Sequence, residues 1–199
     1  PSSNEAPFLL DMSTTVVSRG KIEVQARADE AIPSGWAVDR FGRDGHQPKP
    51  LLSDMQERVG GGILPLGGRG MDQGGHKGYG LALMVDILCS VLAGAAFGPA
   101  LYDTPTSSAR VSHFFGAIRI ANFRDPEDFR RDMDDMLRAL RESKPAEGEE
   151  RVLYAGLPES EMEKESSRRG VPLALSTLES MRGISKRLGL DFPLVSISR

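Results

Sequence analysis

The feature that most limits what this chain can fold into is the run from Gly60 to Gly80 (GGGILPLGGRGMDQGGHKGYG), which leads without a break into the apolar stretch Leu81 to Ala93. Glycine admits positive φ and lets a ligand approach the backbone closely. The first turn of a helix presents N–H groups that have no partner within the helix, together with the positive end of its dipole. A glycine-rich loop opening into a helix therefore reads either as an anion cradle or as a plain flexible loop, and composition weighs the two equally.

Two phosphate motifs with known mechanics fail on this run. A P-loop needs G-x-x-x-x-G-K-[ST], but Gly70 to Lys77 (GMDQGGHK) brings its lysine one place late and follows it with Gly78 instead of a hydroxyl residue. The G-x-G-x-x-G fingerprint of doubly wound folds fails because Gly78-Tyr79-Gly80 is followed by Leu81-Ala82-Leu83. Lys77, at the helix start, reads equally as a cation for a phosphate or carboxylate and as a solvated lysine. His76 reads sooner as a surface residue than as a catalyst, although its titration range permits either role. His46, in a loop, and His113, within a strand, carry less.

Leu81 to Leu101 is long enough to span a bilayer. Asp86 inside it, the breakers Gly94, Gly98 and Pro99, and the lack of a flanking basic cluster favour instead a helix buried on most faces. The 199 residues, 39% hydrophobic and 27% charged, allow one sizeable core, or one domain and an incomplete second, in a soluble globular protein. A formal charge of -3, with basic residues interleaved among acidic ones, gives no stripe for nucleic acid. The single cysteine, Cys89, excludes a disulfide framework and a Cys-based zinc site, reads as buried and inert, and fits a cytoplasmic setting. The three histidines and the carboxylates show no metal-ligand spacing. The opening Pro-Ser-Ser-Asn-Glu, with neither an initiator Met nor a signal peptide, reads like a piece of a longer protein.

Periodicity predicts a buried strand at Phe8 to Thr15 (FLLDMSTT), a helix within Val16 to Ala28, and a turn-rich surface segment from Ile32 onward to Pro50. Val111 to Phe123 alternates as a strand. Asp125 can cap a helix opened by Pro126, whose Phe129, Met133, Met136, Leu137 and Leu140 recur at helical spacing. Val152 to Tyr154 reads as a short strand, Glu159 to Arg169 as a polar helix closed by Gly170, and Leu175, Leu178, Met181, Ile184 and Leu188 as the stripe of a last helix. The carboxylates Asp132, Asp134, Asp135 and Glu159, Glu161, Glu163, Glu165 read as solvated helix faces. Asp11, amid FLLDMSTT, would be costly to bury unpaired. It is either bonded to nearby backbone, the slightly preferred reading, or aimed at a ligand hydroxyl such as a ribose.

Taken in order, Pro7 to Ile22 (PFLLDMSTTVVSRGKI), Ile32 to Asp39 (IPSGWAVD), Ile63 to Gly68 (ILPLGG), Gly75 to Leu83 (GHKGYGLAL), His113 to Ile118 (HFFGAI) and Leu153 to Leu173 (LYAGLPESEMEKESSRRGVPL) resemble the malate/L-lactate dehydrogenase family, which also includes ureidoglycolate, sulfolactate and diketogulonate enzymes and cyclic-imine reductases. The resemblance implies an α/β, non-Rossmann NAD(P)-binding fold with a mostly antiparallel mixed sheet and flanking helices. It implies reversible hydride transfer between NAD or NADP and C2 of a small 2-hydroxy or 2-oxo acid. By the same resemblance, cofactor contacts come from Leu10, Asp11, Met12 and Ser13, from His76 and Lys77, and from Gly156 and Glu159.

The family's acid/base histidine in a Ser-His-Gly segment, its nearby substrate arginine and its Gly-Thr-Asn-Pro element are not in this sequence. No catalytic residue is therefore assigned to the chain, which is expected to be inactive alone. Lys21 stands where some imine reductases carry aspartate, which favours the hydroxyacid branch. Arg40 to Pro50 departs from the family's G-x-P-T-x-D-P pattern. Residues 1–125 are expected to make most of the cofactor domain, and residues 126–199 a helical region that packs on an N-terminal segment outside the chain. The whole enzyme is expected to be a cytoplasmic homodimer. The alternative is a non-catalytic interaction module that has kept the cofactor fold and lost its active site.

Overall fold

The computed structural model of the chain describes residues 2–104 and 106–192, in two units. The described residues of Met12–Ile118 form a central unit, and those of Pro1–Asp11 with Arg119–Arg199 form a terminal unit.

The central unit runs α1 (Arg19–Ala28), β1 (Ala37–Val38), α2 (Pro48–Glu57), β2 (Gly62–Ile63) and α3 (Gly75–Asp86), the last continuing as a wider π turn over Ile87–Val91. Proline's fixed φ suits the first turn of α2, where its missing N–H has no role. This helix falls in a stretch whose first residues were predicted as loop. Helices α1 and α2 pack together, and Val17, Ile22, Ile32, Ala37 and Leu51 make the core, flanked by Trp36, Met55 and Ile63. Asp54 of α2 is buried, and Arg40 meets its carboxylate at two points, 2.9 and 3.1 Å, which keeps the charge paired below the surface. Strands β1 and β2 pair antiparallel, Ala37 opposite Ile63 and Val38 opposite Gly62.

Sheet is scarcer than the sequence predicts. Of Phe8 to Thr15, only Thr15 makes a bridge, to Pro65. Val111 to Phe123 contains no strand, and Ile120–Asn122 is instead a 3-10 turn. Nor is Val152 to Tyr154 a strand. Alternation marks which residues a strand would bury, but ladder hydrogen bonds from a neighbour make the strand. Among the described residues no neighbour pairs with Val111 to Phe123, and both of its faces are exposed, Phe115 and Ile118 included.

The apolar run after the glycines also differs. Within α3 only Gly75 and Gly78 are buried, while Tyr79, Met84, Ile87 and Leu92 along it are exposed, so it is not covered on most faces. Hydrophobicity alone predicted burial, but burial requires a packed partner, which the described residues of this unit do not supply. Cys89 is half-buried for the same reason. Asp86 accepts a hydrogen bond from the Gly98 N–H at 3.1 Å and closes the turn there. Among the described residues no helix is long and apolar enough to cross a membrane.

The terminal unit holds α4 (Pro126–Arg141), α5 (Leu157–Arg169) and α6 (Leu175–Leu188). Helix α4 starts as its sequence predicts: Asp125 accepts from the Glu127 and Asp128 N–H groups at 2.8 and 3.2 Å. Leu137, Tyr154 and Leu157 form the core, with Ala6 and Met133 against them. Met136 and Leu140 of the α4 stripe stay exposed, as do Leu175, Met181, Ile184 and Leu188 of α6. Asp134 is not the solvated residue that its neighbours Asp132 and Asp135 are. It is 3% exposed, because it stands one helical turn before Leu137 on the buried face of α4.

Candidate functional site

The eight residues singled out as cofactor contacts divide between the two units, and each group has its own local frame. In the central unit, the Leu66 N–H donates to Thr14 O at 3.0 Å and the Val16 N–H to Leu64 O at 2.9 Å, so the segment after Met12 and Ser13 lies beside Leu64 to Leu66. The other side of Leu66 meets α3. A Cβ on Gly78 would stand 2.6 Å from Leu66 N and closer still to Leu66 O. Ser13 and Lys77 are thus each one residue away from a backbone contact with Leu66.

These contacts change the reading of the glycine cluster. A Cβ on Gly67 would lie 2.6 Å from Gly74 O, and one on Gly75 would overlap Gly68 O. The glycines at these points let two stretches of the chain's own backbone touch, so the space read from the sequence as room for an anion is filled there by protein. What faces outward is the first turn of α3 with the exposed side chains of His76 and Lys77. Met12 and Ser13 are exposed as well, and the Ser13 hydroxyl donates to Thr15 O at 3.3 Å. An ammonium beside the positive end of a helix has the chemistry to hold a phosphate.

In the terminal unit, the Leu9 N–H donates to Ala155 O at 3.0 Å, and Gly156 fits against the chain where a Cβ would stand 2.6 Å from Pro7 O and 2.8 Å from Leu9 N. Leu10 and Asp11 follow directly and are exposed. Asp11 is not buried, and among the described residues it accepts no hydrogen bond, so the slightly preferred backbone role is not what it does. Gly156 has φ 97° and starts α5, and its N–H donates to the Glu159 carboxylate at 3.2 Å. Glu159 is thereby engaged as a helix cap through one oxygen.

A residue of this neighbourhood that the sequence reading set aside is Asp134. Its carboxylate accepts the Ser3, Asn4 and Glu5 backbone N–H groups at 3.1, 3.0 and 3.0 Å and the Asn4 side-chain amide at 3.0 Å. The Glu5 N–H above all, with those of Asn4 and Ser3, holds this carboxyl below the usual carboxylate range against the opposing effect of burial. Its stabilising contribution is therefore present above the ordinary carboxylate value and is lost as pH falls through the lowered one. The sequence signal was its place at i−3 from Leu137, on a stripe otherwise apolar.

A groove of about 590 Å³ lies along α1, lined by Ser18, Lys21, Gln25, Arg27 and Trp36 among others. None of the eight residues lines it. Among the described residues no three His, Cys, Asp or Glu side chains gather as a metal site.

Residues 1–182 match the family model described as malate/L-lactate dehydrogenase. The chain is 36% identical over 190 residues to a malate dehydrogenase of Pyrococcus horikoshii, covering 95% of the chain and 51% of that protein. It is 32% identical to a malate/(S)-sulfolactate dehydrogenase of Methanothermus fervidus, again over 95% of the chain and 51% of the relative. The crystal structure of malate dehydrogenase from Entamoeba histolytica superposes with a TM-score of 0.90 at 30% identity, over 98% of this chain and 54% of that one. The chain spans about half the length of the relatives it matches.

Proposed function

The chain belongs to the malate/L-lactate dehydrogenase family, and on that premise we propose that it is the nicotinamide-binding part of an enzyme moving hydride between NAD or NADP and C2 of a small 2-hydroxy or 2-oxo acid. The observation that carries the proposal is the outward-facing first turn of α3, where Lys77 and His76 stand on a helix start held through Leu66 to the Ser13 segment. That donor set fits a dinucleotide phosphate. When bound, the nicotinamide supplies the hydride acceptor or donor.

The chain's own residues bind and orient. Lys77 offers its ammonium to a phosphate oxygen, and the α3 amide ends add partial positive charge. Ser13 can donate to or accept from a polar edge of the cofactor, and Leu10 and Met12 offer apolar surface. Asp11, exposed and without a protein partner among the described residues, suits a ribose hydroxyl. Glu159 has an oxygen left over after capping α5, which makes it a second acceptor. No residue of the chain takes a proton-transfer role here. The general acid and the cation for the substrate carboxylate are proposed to come from the half of such an enzyme that the chain does not span.

The division into residues 1–125 for most of the cofactor domain and 126–199 for a docking helical region belongs to the same proposal, as a division of labour and not of packing units. So do a homodimer and a cytoplasmic location, which rest on the family resemblance alone. The full-length gene product is expected to reduce NAD or NADP with malate, lactate or sulfolactate, while the 199-residue chain alone turns over none of them. A correctly folded full-length protein that ignores both dinucleotides and all such acids overturns the proposal.

A further inference from the structure

Buried carboxylates are costly unless every oxygen is engaged, and an apolar residue at the same place often stabilises a fold as well. What a carboxylate adds is direction. The three successive N–H groups of Ser3, Asn4 and Glu5 converge on Asp134, which is 3% exposed. Backbone amides alone would tolerate a slip of one residue, but the Asn4 side-chain amide, which donates to the same carboxylate at 3.0 Å, would not, so the contact fixes register as well as proximity. The Glu5 carboxylate is held in addition by Arg141 at 3.1 Å and Arg138 at 3.6 Å, both on α4.

From this anchor the chain has little slack. Ala6 O accepts the Tyr154 hydroxyl at 2.9 Å, Pro7 O stands against Gly156, and the Leu9 N–H bonds Ala155 O at 3.0 Å. Leu10 and Asp11 come next. Because ties recur every one to three residues, a displacement at Ser3 to Glu5 has no loop in which to be absorbed before Leu10.

We propose that Asp134 is a positioning residue for cofactor binding: by fixing the register of Ser3 to Glu5 on α4, it sets where Leu10 and Asp11 stand at the start of α5. The inference rests on the reading of Leu10, Asp11, Gly156 and Glu159 as cofactor contacts given above.

The test is a titration of the 199-residue chain with NADH and NADPH, with amide exchange followed at Ser3 to Glu5 and at Leu9. Asp134→Asn keeps the shape and removes the charge, and is expected to weaken binding of the preferred dinucleotide by about tenfold and to speed exchange at Leu9. Asn4→Ala removes only the Asn4 Nδ2 bond and is expected to act in the same direction by about threefold, which covers the case in which Asp134→Asn does not fold. Leu137→Val destabilises the same core without touching the anchor. Below its unfolding transition its affinity is expected to stay within about twofold of wild type, whereas a purely structural role for Asp134 would make Leu137→Val lose affinity as Asp134→Asn does. Folded Asp134→Asn or Asn4→Ala chains that bind as wild type overturn the positioning role and leave the cofactor reading intact. A folded wild-type chain that binds neither dinucleotide overturns the cofactor reading, and this inference with it.

Discussion

Gly78→Ala is expected to lower the stability of the central unit by about 3 kcal/mol or more, while Gly80→Ala, two residues on, is expected to raise it by about 0.5–1 kcal/mol. Both glycines lie in α3 and in one tripeptide, Gly78-Tyr79-Gly80. A Cβ on Gly78 would overlap the backbone of Leu66, which cannot swing aside as a flexible side chain could. Moving Leu66 would also break its N–H bond to Thr14 O and the bridge at Thr15. A Cβ on Gly80 meets nothing within 4 Å, so only the intrinsic helix preference for alanine remains. Urea unfolding followed by the fluorescence of Trp36, the single tryptophan, reads this unit directly because Trp36 packs on its core. Equal effects of the two substitutions would mean that the α3 start does not rest on Leu66.

Gly156→Ala is expected to cost about 3 kcal/mol or more in the terminal unit, from two sources that add. At φ 97° an alanine is strained by about 1–2 kcal/mol, and its methyl would press on Pro7 O and Leu9 N. The segment would lift from Ala155, so hydrogen exchange at the Leu9 amide should quicken more than exchange at Leu137 in the α4 core. Unchanged protection at Leu9 would contradict the docking of residues 7–9 on this turn. The family resemblance gave Gly156 a contact with the cofactor. The structure gives it a second task, letting the segment that leads to Leu10 lie close.

Helices were legible where local chemistry decides them. The Asp125-Pro126 start of α4, the Gly170 stop of α5 and the stripe of α6 stand as their residues predict, since caps and breakers act within a turn. The strands predicted at Phe8 to Thr15 and Val111 to Phe123 are not formed, because whether an alternating segment becomes a strand depends on a partner that its own residues do not encode. Helix α3 and the turn after it show the same limit from the other side: Tyr79, Met84 and Leu92 carry a hydrophobic signal, but all three are exposed among the described residues. The glycine run was recognised as special, yet its spacing could not say whether a ligand or Leu66 would fill the space. Asp134 was misread because a charged run on a helix is ordinarily solvated. Its difference from Asp132 and Asp135 lies only in the face it takes, and in amides more than a hundred residues away in sequence.

The claim that this chain carries a nicotinamide site is tested most directly by thermal unfolding with and without NADH and NADPH, on the wild type and on Lys77→Ala. A ligand that binds only the folded state stabilises it by RT ln(1 + [L]/Kd), about 2.7 kcal/mol at a hundredfold excess over Kd. The expected result is a clear upward shift of the transition with at least one dinucleotide, lost or sharply reduced in Lys77→Ala. A cooperative transition that neither dinucleotide moves would contradict the account and leave a dehydrogenase scaffold without its cofactor site.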